Sequence, residues 1–126
     1  MSIHTDPQKF ANAFNPETGD IEAFKQEGCR DDEDKPPIHL IPAEAILMLA
    51  EVFKYGSRKY GERNWESGMD WSRIYSSAMR HLLSFWMGEN DDQESKLQHM
   101  AHATWNCMAL MCYVFWGIGF DDRPEL

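Results

Sequence analysis

The chain has 126 residues, 21 acidic against 12 basic side chains and a formal net charge of -9, enough for one domain whose core an oligomer would enlarge. That charge argues against duplex DNA or an anionic membrane surface as the main partner, because both select basic stripes. Three cysteines, Cys29, Cys107 and Cys112, make no paired CxxC spacing, so neither a disulfide framework nor a zinc ribbon is supported and the reducing cytoplasm is the expected compartment.

In chain order, the first segment "MSIHTDPQKFANAF" has no basic stretch followed by an apolar one, so no signal peptide is expected. Residues 1–37 mix Asp, Glu, Gly, Pro and Lys around "RDDEDK" without a sustained period, which predicts a loosely ordered arm. Residues 38–120 form the expected helical domain, and residues 121–126 an acidic tail. Within the domain, apolar residues recur at helical spacing over 41–60, with Pro42 suited to a first turn and Gly61 to a stop. The turn-rich "GERNWESGMD" precedes a second helix over 71–87. The loop "GENDDQES" follows, with Ser95 as a candidate cap for a third helix over 96–116. No run alternates with period two, so the fold class is all-α: a compact helical bundle of three principal helices.

The charge-free run "MALMCYVFWGIGF" at 108–120 is shorter than the ~20 apolar residues a spanning helix needs. It is expected to be buried in a subunit core or interface, which predicts a homo-oligomer, at least a dimer.

Helical phase groups the polar residues. His99, His102, Asn106 and Tyr113 share one arc of the third helix, Ser77, His81, Ser84 and Gly88 one face of the second, and Glu44, Glu51 and Arg58 one stripe of the first. The expectation is that all three seams face one shared cavity. A lone histidine on an apolar face is usually a hydrogen-bonded core residue; two at i,i+3, with His81 nearby and an acidic loop between, are also suited to metal or phosphate chemistry. Glu89, Asp92 and Glu94 in the loop are either hard oxygen ligands or a solvated acidic turn. The segment "KYGSRKYGERNW" interleaves Lys54, Arg58, Lys59 and Arg63 with Tyr55, Tyr60 and Trp65, and includes Asn64; cations for phosphates and flat rings for a base suit a nucleotide, and the same cations suit a helix C-terminus. Arg80 beside His81 adds a candidate phosphate contact.

Three blocks, "KYGSRKYGERNW", "RHLLSFWMGENDDQES" and "LQHMAHATWN", resemble in order and spacing the phage-encoded dATP/dGTP diphosphohydrolase domain family, itself grouped loosely with MazG-like all-α NTP pyrophosphohydrolases. The resemblance covers about residues 35–113. It implies an oligomer in the host cytoplasm that binds a purine nucleoside triphosphate with a divalent cation, Mg²⁺ or Mn²⁺, and releases monophosphate and pyrophosphate. On that reading Lys54, Arg58, Lys59, Tyr60, Arg63, Asn64, Trp65, Arg80 and Asn106 bind substrate, His81, Asp92, His99 and His102 hold metal, and Glu51 or Glu89 is the base. MazG-like enzymes build a four-carboxylate cage from ExxE and ExxD, whereas the corresponding positions here appear as Arg80, His81, His99 and His102. Mg²⁺ prefers oxygen and Mn²⁺ tolerates imidazole, so the metal does not carry over with the resemblance. The alternative is a non-catalytic phage protein that sequesters a nucleotide or a nucleotide-derived defence signal.

Overall fold

The structure, a computed structural model, describes residues 33–125, and the chain divides into two units, Met1–Ile38 and His39–Leu126. Most of the expected N-terminal arm lies outside the described residues; of the first unit only a turn at 33–35 and the residues through Ile38 are described.

The second unit carries three helices, α1 (Ala43–Tyr60), α2 (Trp71–Trp86) and α3 (His99–Trp116), with a short 3-10 turn at Asn64–Ser67 between the first two. Among the described residues there is no strand, only two isolated bridges, Asp70 with Phe120 and Asp91 with Gln98. The all-α expectation is borne out. α1 starts after Pro42, places Glu44 in its first turn and Arg58 and Lys59 in its last, each charge opposing the adjacent end of the helix dipole. Gly61, at φ 91°, ends it while its N–H bonds the Ser57 carbonyl at 2.8 Å.

The third helix begins three residues later than the sequence suggests. Lys96 takes a left-handed φ of 63°, which interrupts helical geometry. The loop closes on itself instead, with Asp92 N donating to Leu97 O at 2.8 Å and His99 N to Asn90 O at 2.9 Å. Gln98, not Ser95, stands at the N-cap position. Ser95 Oγ accepts from Leu97 N at 3.2 Å and lies 2.7 Å from His102 Nε2, so the expected cap serves the site.

α3 packs mainly on α2 and also on α1. The core centres on Ile74, Ala109 and Tyr113, with Trp65, Met69, Trp71, Trp105 and Ile118 packed around them. Tyr113 is fully buried; its ring stacks on Trp65 at 6.1 Å and its hydroxyl donates to the Trp65 carbonyl, tying α3 to the 3-10 turn. Each large side chain withdrawn from water in this way contributes about 1.5–3 kcal/mol.

Gly117, left-handed at φ 68°, ends α3 and its N–H bonds Tyr113 O. The chain then turns back to the start of α2. Phe120 N donates to Met69 O at 3.2 Å, Trp71 N donates to Phe120 O at 2.9 Å, and Trp71 Nε1 donates to Ile118 O at 3.1 Å. Asp122 receives the Ser72 N–H at 2.8 Å and the Ser72 hydroxyl, supplying α2 with a cap that Asp70 does not provide.

No helix among the described residues is long and apolar enough to cross a membrane. A wide apolar surface nonetheless stays open: Trp86 and Met87 at the end of α2 are 84% and 83% exposed, and Met111, Val114 and Phe115 on α3 are exposed too, Phe115 at 87%.

Candidate metal and nucleotide site

The polar stripe of α3 is buried as its phase requires. His99 is 3% exposed, and His102, Asn106 and Tyr113 are buried with it. From α2, His81 reaches the same place: its Nδ1 lies 2.9 Å from His99 Nδ1, and its ring stacks on His102 at 4.5 Å between centroids with an 8° tilt. From the loop, Asp92 completes a group in which one ligand atom each of His81, Asp92 and His99 lies within 4.8 Å of the others. Three elements, α2, α3 and the loop between them, therefore meet at one polar group.

With both rings neutral, the hydrogen bonds sort donor from acceptor nitrogens. His99 Nε2 lies 2.7 Å from Glu89 Oε1, and an ionised carboxylate can only accept, so Nε2 holds the hydrogen and Nδ1 the lone pair. His81 Nδ1 is then the donor of the 2.9 Å contact. Burial holds the His81 imidazole below its ordinary pKa, and His102, His99 and Arg80 act in the same direction. Burial likewise lowers His102. Partial burial pushes Asp92 upward, but the Ser95 hydrogen bonds, with Ser95 N donating to Oδ2 at 2.8 Å, and the nearby His102 outweigh it and leave the carboxyl below the usual range. A cation between the His81 and His99 rings would replace their hydrogen bond, with the His81 hydrogen then on Nε2, and two imidazoles and one carboxylate form a donor set that fits a divalent cation.

The basic, aromatic end of α1 touches this group through two contacts. Tyr55 meets the His102 ring edge-on at 6.0 Å, and Lys59 Nζ reaches Glu94 Oε1 at 2.7 Å. The Glu94 hydrogen bond raises Lys59 above its ordinary range, and Lys59 also lies over the Tyr55 and Tyr60 rings at 5.8 and 5.5 Å. Asn106 sits deeper, donating from Nδ2 to His102 O at 2.9 Å and to Ser77 Oγ at 3.3 Å. Those contacts hold α2 and α3 in register behind the histidines.

The expected seam on α1 is not buried. Glu44, Glu51 and Arg58 are all exposed, because α1 packs through Val52 and Phe53 and turns the charged stripe to solvent. Glu51 lies 3.9 Å from Lys54 and lines an open cleft of ≈ 150 Å³ with Met48, Asp91, Lys96 and Leu97. This is smaller than the ~300–1,000 Å³ of ordinary ligand pockets. Arg63 pairs with Glu66 at 3.0 Å, next to exposed Asn64. Trp65 packs among Phe53, Trp105, Tyr113 and Trp116. Arg80 is exposed beside His81. No hydrogen bond, ion pair or ring contact among the described residues joins Glu51, Arg58, Arg63 or Trp65 to the histidines. Sequence reasoning missed Ser95 and Tyr55 as neighbours of His102: Ser95 looks like a cap, and the contact of Tyr55 depends on how α1 crosses α3, which periodicity does not reveal.

The sequence profile of the family described as dATP/dGTP diphosphohydrolase, N-terminal, matches residues 25–123. The dATP/dGTP diphosphohydrolase of Salmonella phage PMBT28 is 33% identical over 97 residues, which make up 77% of this chain and 31% of that protein. The chain thus spans about a third of the length of this curated relative. No solved structure gave a significant match. The matched span runs through α1, α2, α3 and every residue of the histidine group, and the chain belongs to the dATP/dGTP diphosphohydrolase N-terminal family.

Proposed function

We propose that the chain acts in the host cytoplasm as a metal-dependent pyrophosphohydrolase on purine (deoxy)nucleoside triphosphates: water adds to the α-phosphorus, the α–β anhydride breaks, and monophosphate and pyrophosphate leave. The observation that carries the reading is the convergence of His81, Asp92 and His99 within 4.8 Å, next to the basic, aromatic end of α1. The purine triphosphate is taken from the relative's name, and the cation from the donor set.

His81, Asp92 and His99 hold the cation, Mg²⁺ or Mn²⁺, which when bound neutralises phosphate charge and makes a neighbouring water more acidic. His102 backs the His81 ring and anchors to Ser95, keeping that imidazole in plane. Lys59, Arg58 and Lys54 present cations along one end of α1, with Arg80 on α2, for the β- and γ-phosphates, and Tyr60 offers a face to the base. Of the two carboxylates expected as base, Glu89 sits at the group and Glu51 on the exposed stripe.

The protein works as a homo-oligomer, at least a dimer. The exposed Trp86, Met87, Met111, Val114 and Phe115 belong to the two helices that build the site, and a second copy of the same surface is the cover with matching chemistry. At roughly 25 cal/mol per Å², burial of such a face favours association.

Incubation with dGTP, dATP, GTP and ATP, with and without Mn²⁺ or Mg²⁺, followed by chromatography, tests the activity. Monophosphate and pyrophosphate formed only with cation are expected. Intact nucleotide that stays bound indicates a sequestering protein instead, and neither binding nor turnover sinks both readings.

A further inference from the structure

The donor set narrows the cation. Resting on the metal-dependent reading above, we propose that the His81–Asp92–His99 group selects a first-row transition cation, such as Mn²⁺, Fe²⁺ or Co²⁺, over Mg²⁺ and Ca²⁺, and that Glu89 is the positioning residue that fixes His99 for it.

Two of the three donors are imidazole nitrogens on separate helices, and imidazole suits transition cations while Mg²⁺ and Ca²⁺ favour oxygen. Two imidazoles and one carboxylate leave the cation's remaining positions for oxygen atoms of water or phosphate.

Glu89 acts on the far side of His99. Its Oε1 accepts the Nε2 hydrogen at 2.7 Å, which keeps Nδ1 unprotonated and turned toward His81. Histidines that bind metals commonly donate their second N–H to a carboxylate in this manner, and loss of that partner lowers metal affinity. The bond engages only Oε1, so the orienting of His99 is a role separate from that of a general base.

Calorimetric titration of the full chain with Mn²⁺, Co²⁺, Mg²⁺ and Ca²⁺, in the absence of nucleotide, tests both parts. One Mn²⁺ or Co²⁺ per chain is expected, with Mg²⁺ at least ~100-fold weaker, and Co²⁺ should give the visible absorption of a nitrogen-ligated ion. Glu89→Ala should raise the Mn²⁺ Kd about 10–100-fold and Glu89→Gln, which can still accept from Nε2, should recover part of it. Glu89 is partly exposed, so circular dichroism of the variants is expected to match wild type. Mg²⁺ binding as tight as Mn²⁺, no binding of any cation, or an unchanged Kd in Glu89→Ala overturns the proposal. Selective Mn²⁺ binding by a protein that leaves every nucleotide intact upholds this inference while sinking the hydrolase reading.

Discussion

The Nδ1 atoms of His81 and His99 face each other at 2.9 Å from two different helices, so the packing of α2 on α3 sets the site. His99→Gln keeps the side-chain volume close but removes the lone pair directed at His81. It should reduce nucleotide turnover by at least about 100-fold, the upper end of what loss of a metal's outer partner costs. Product chromatography reads the rate and circular dichroism checks the helices; turnover near wild type would move the site elsewhere. His102→Ala removes the ring stacked on His81 and the bond to Ser95, so a smaller loss is expected.

Phosphate recognition by the end of α1 is separable from the base. Arg58→Ala should weaken a triphosphate by about 1.5–3 kcal/mol, roughly 10–150-fold, and leave the matching nucleoside nearly unchanged, because the lost hydrogen bond to a charged group exists only where phosphate does. Equilibrium dialysis with both ligands checks it. Equal weakening of the two would indicate damage to the fold.

The turn after α3 predicts a stability effect. Gly119 sits at φ 79°, and a Cβ there would lie 2.6 Å from Met69 O and 3.0 Å from Trp71 Nε1. Gly119→Ala should therefore cost about 1–3 kcal/mol in urea unfolding, through backbone strain and the disturbed return strand-like contact to α2. An unchanged midpoint would show that the tail does not brace α2.

How far the site was legible follows from these particulars. The stripe of His99, His102, Asn106 and Tyr113 is visible because a 3.6-residue period alone puts them on one side, and the apolar residues around them say that side is buried. The stripe of Glu44, Glu51 and Arg58 has the same spacing and faces water, because periodicity groups residues without saying which face packs. The late start of α3 hangs on the left-handed Lys96, a conformation that few non-glycine residues adopt and no pattern announces. The Glu89–His99 bond is a contact between a loop and a helix, which only the fold reveals.

The exposed apolar face predicts assembly. Wild type should run as a discrete multimer in light scattering at micromolar concentration, and Phe115→Glu, which places a charge on the most exposed aromatic of α3, should shift it toward monomer. A monomeric wild type would remove the second copy as the cover for that face.

The most direct test is a crystal structure grown with Mn²⁺ and a purine triphosphate analogue, with anomalous data collected at the manganese edge. The account predicts one strong peak about 2.0–2.2 Å from His81 Nδ1, His99 Nδ1 and an Asp92 oxygen, with phosphate oxygens completing its shell. A nucleotide-bound crystal whose manganese sits away from both histidines, or whose two imidazoles keep their 2.9 Å hydrogen bond with no metal between them, would contradict it.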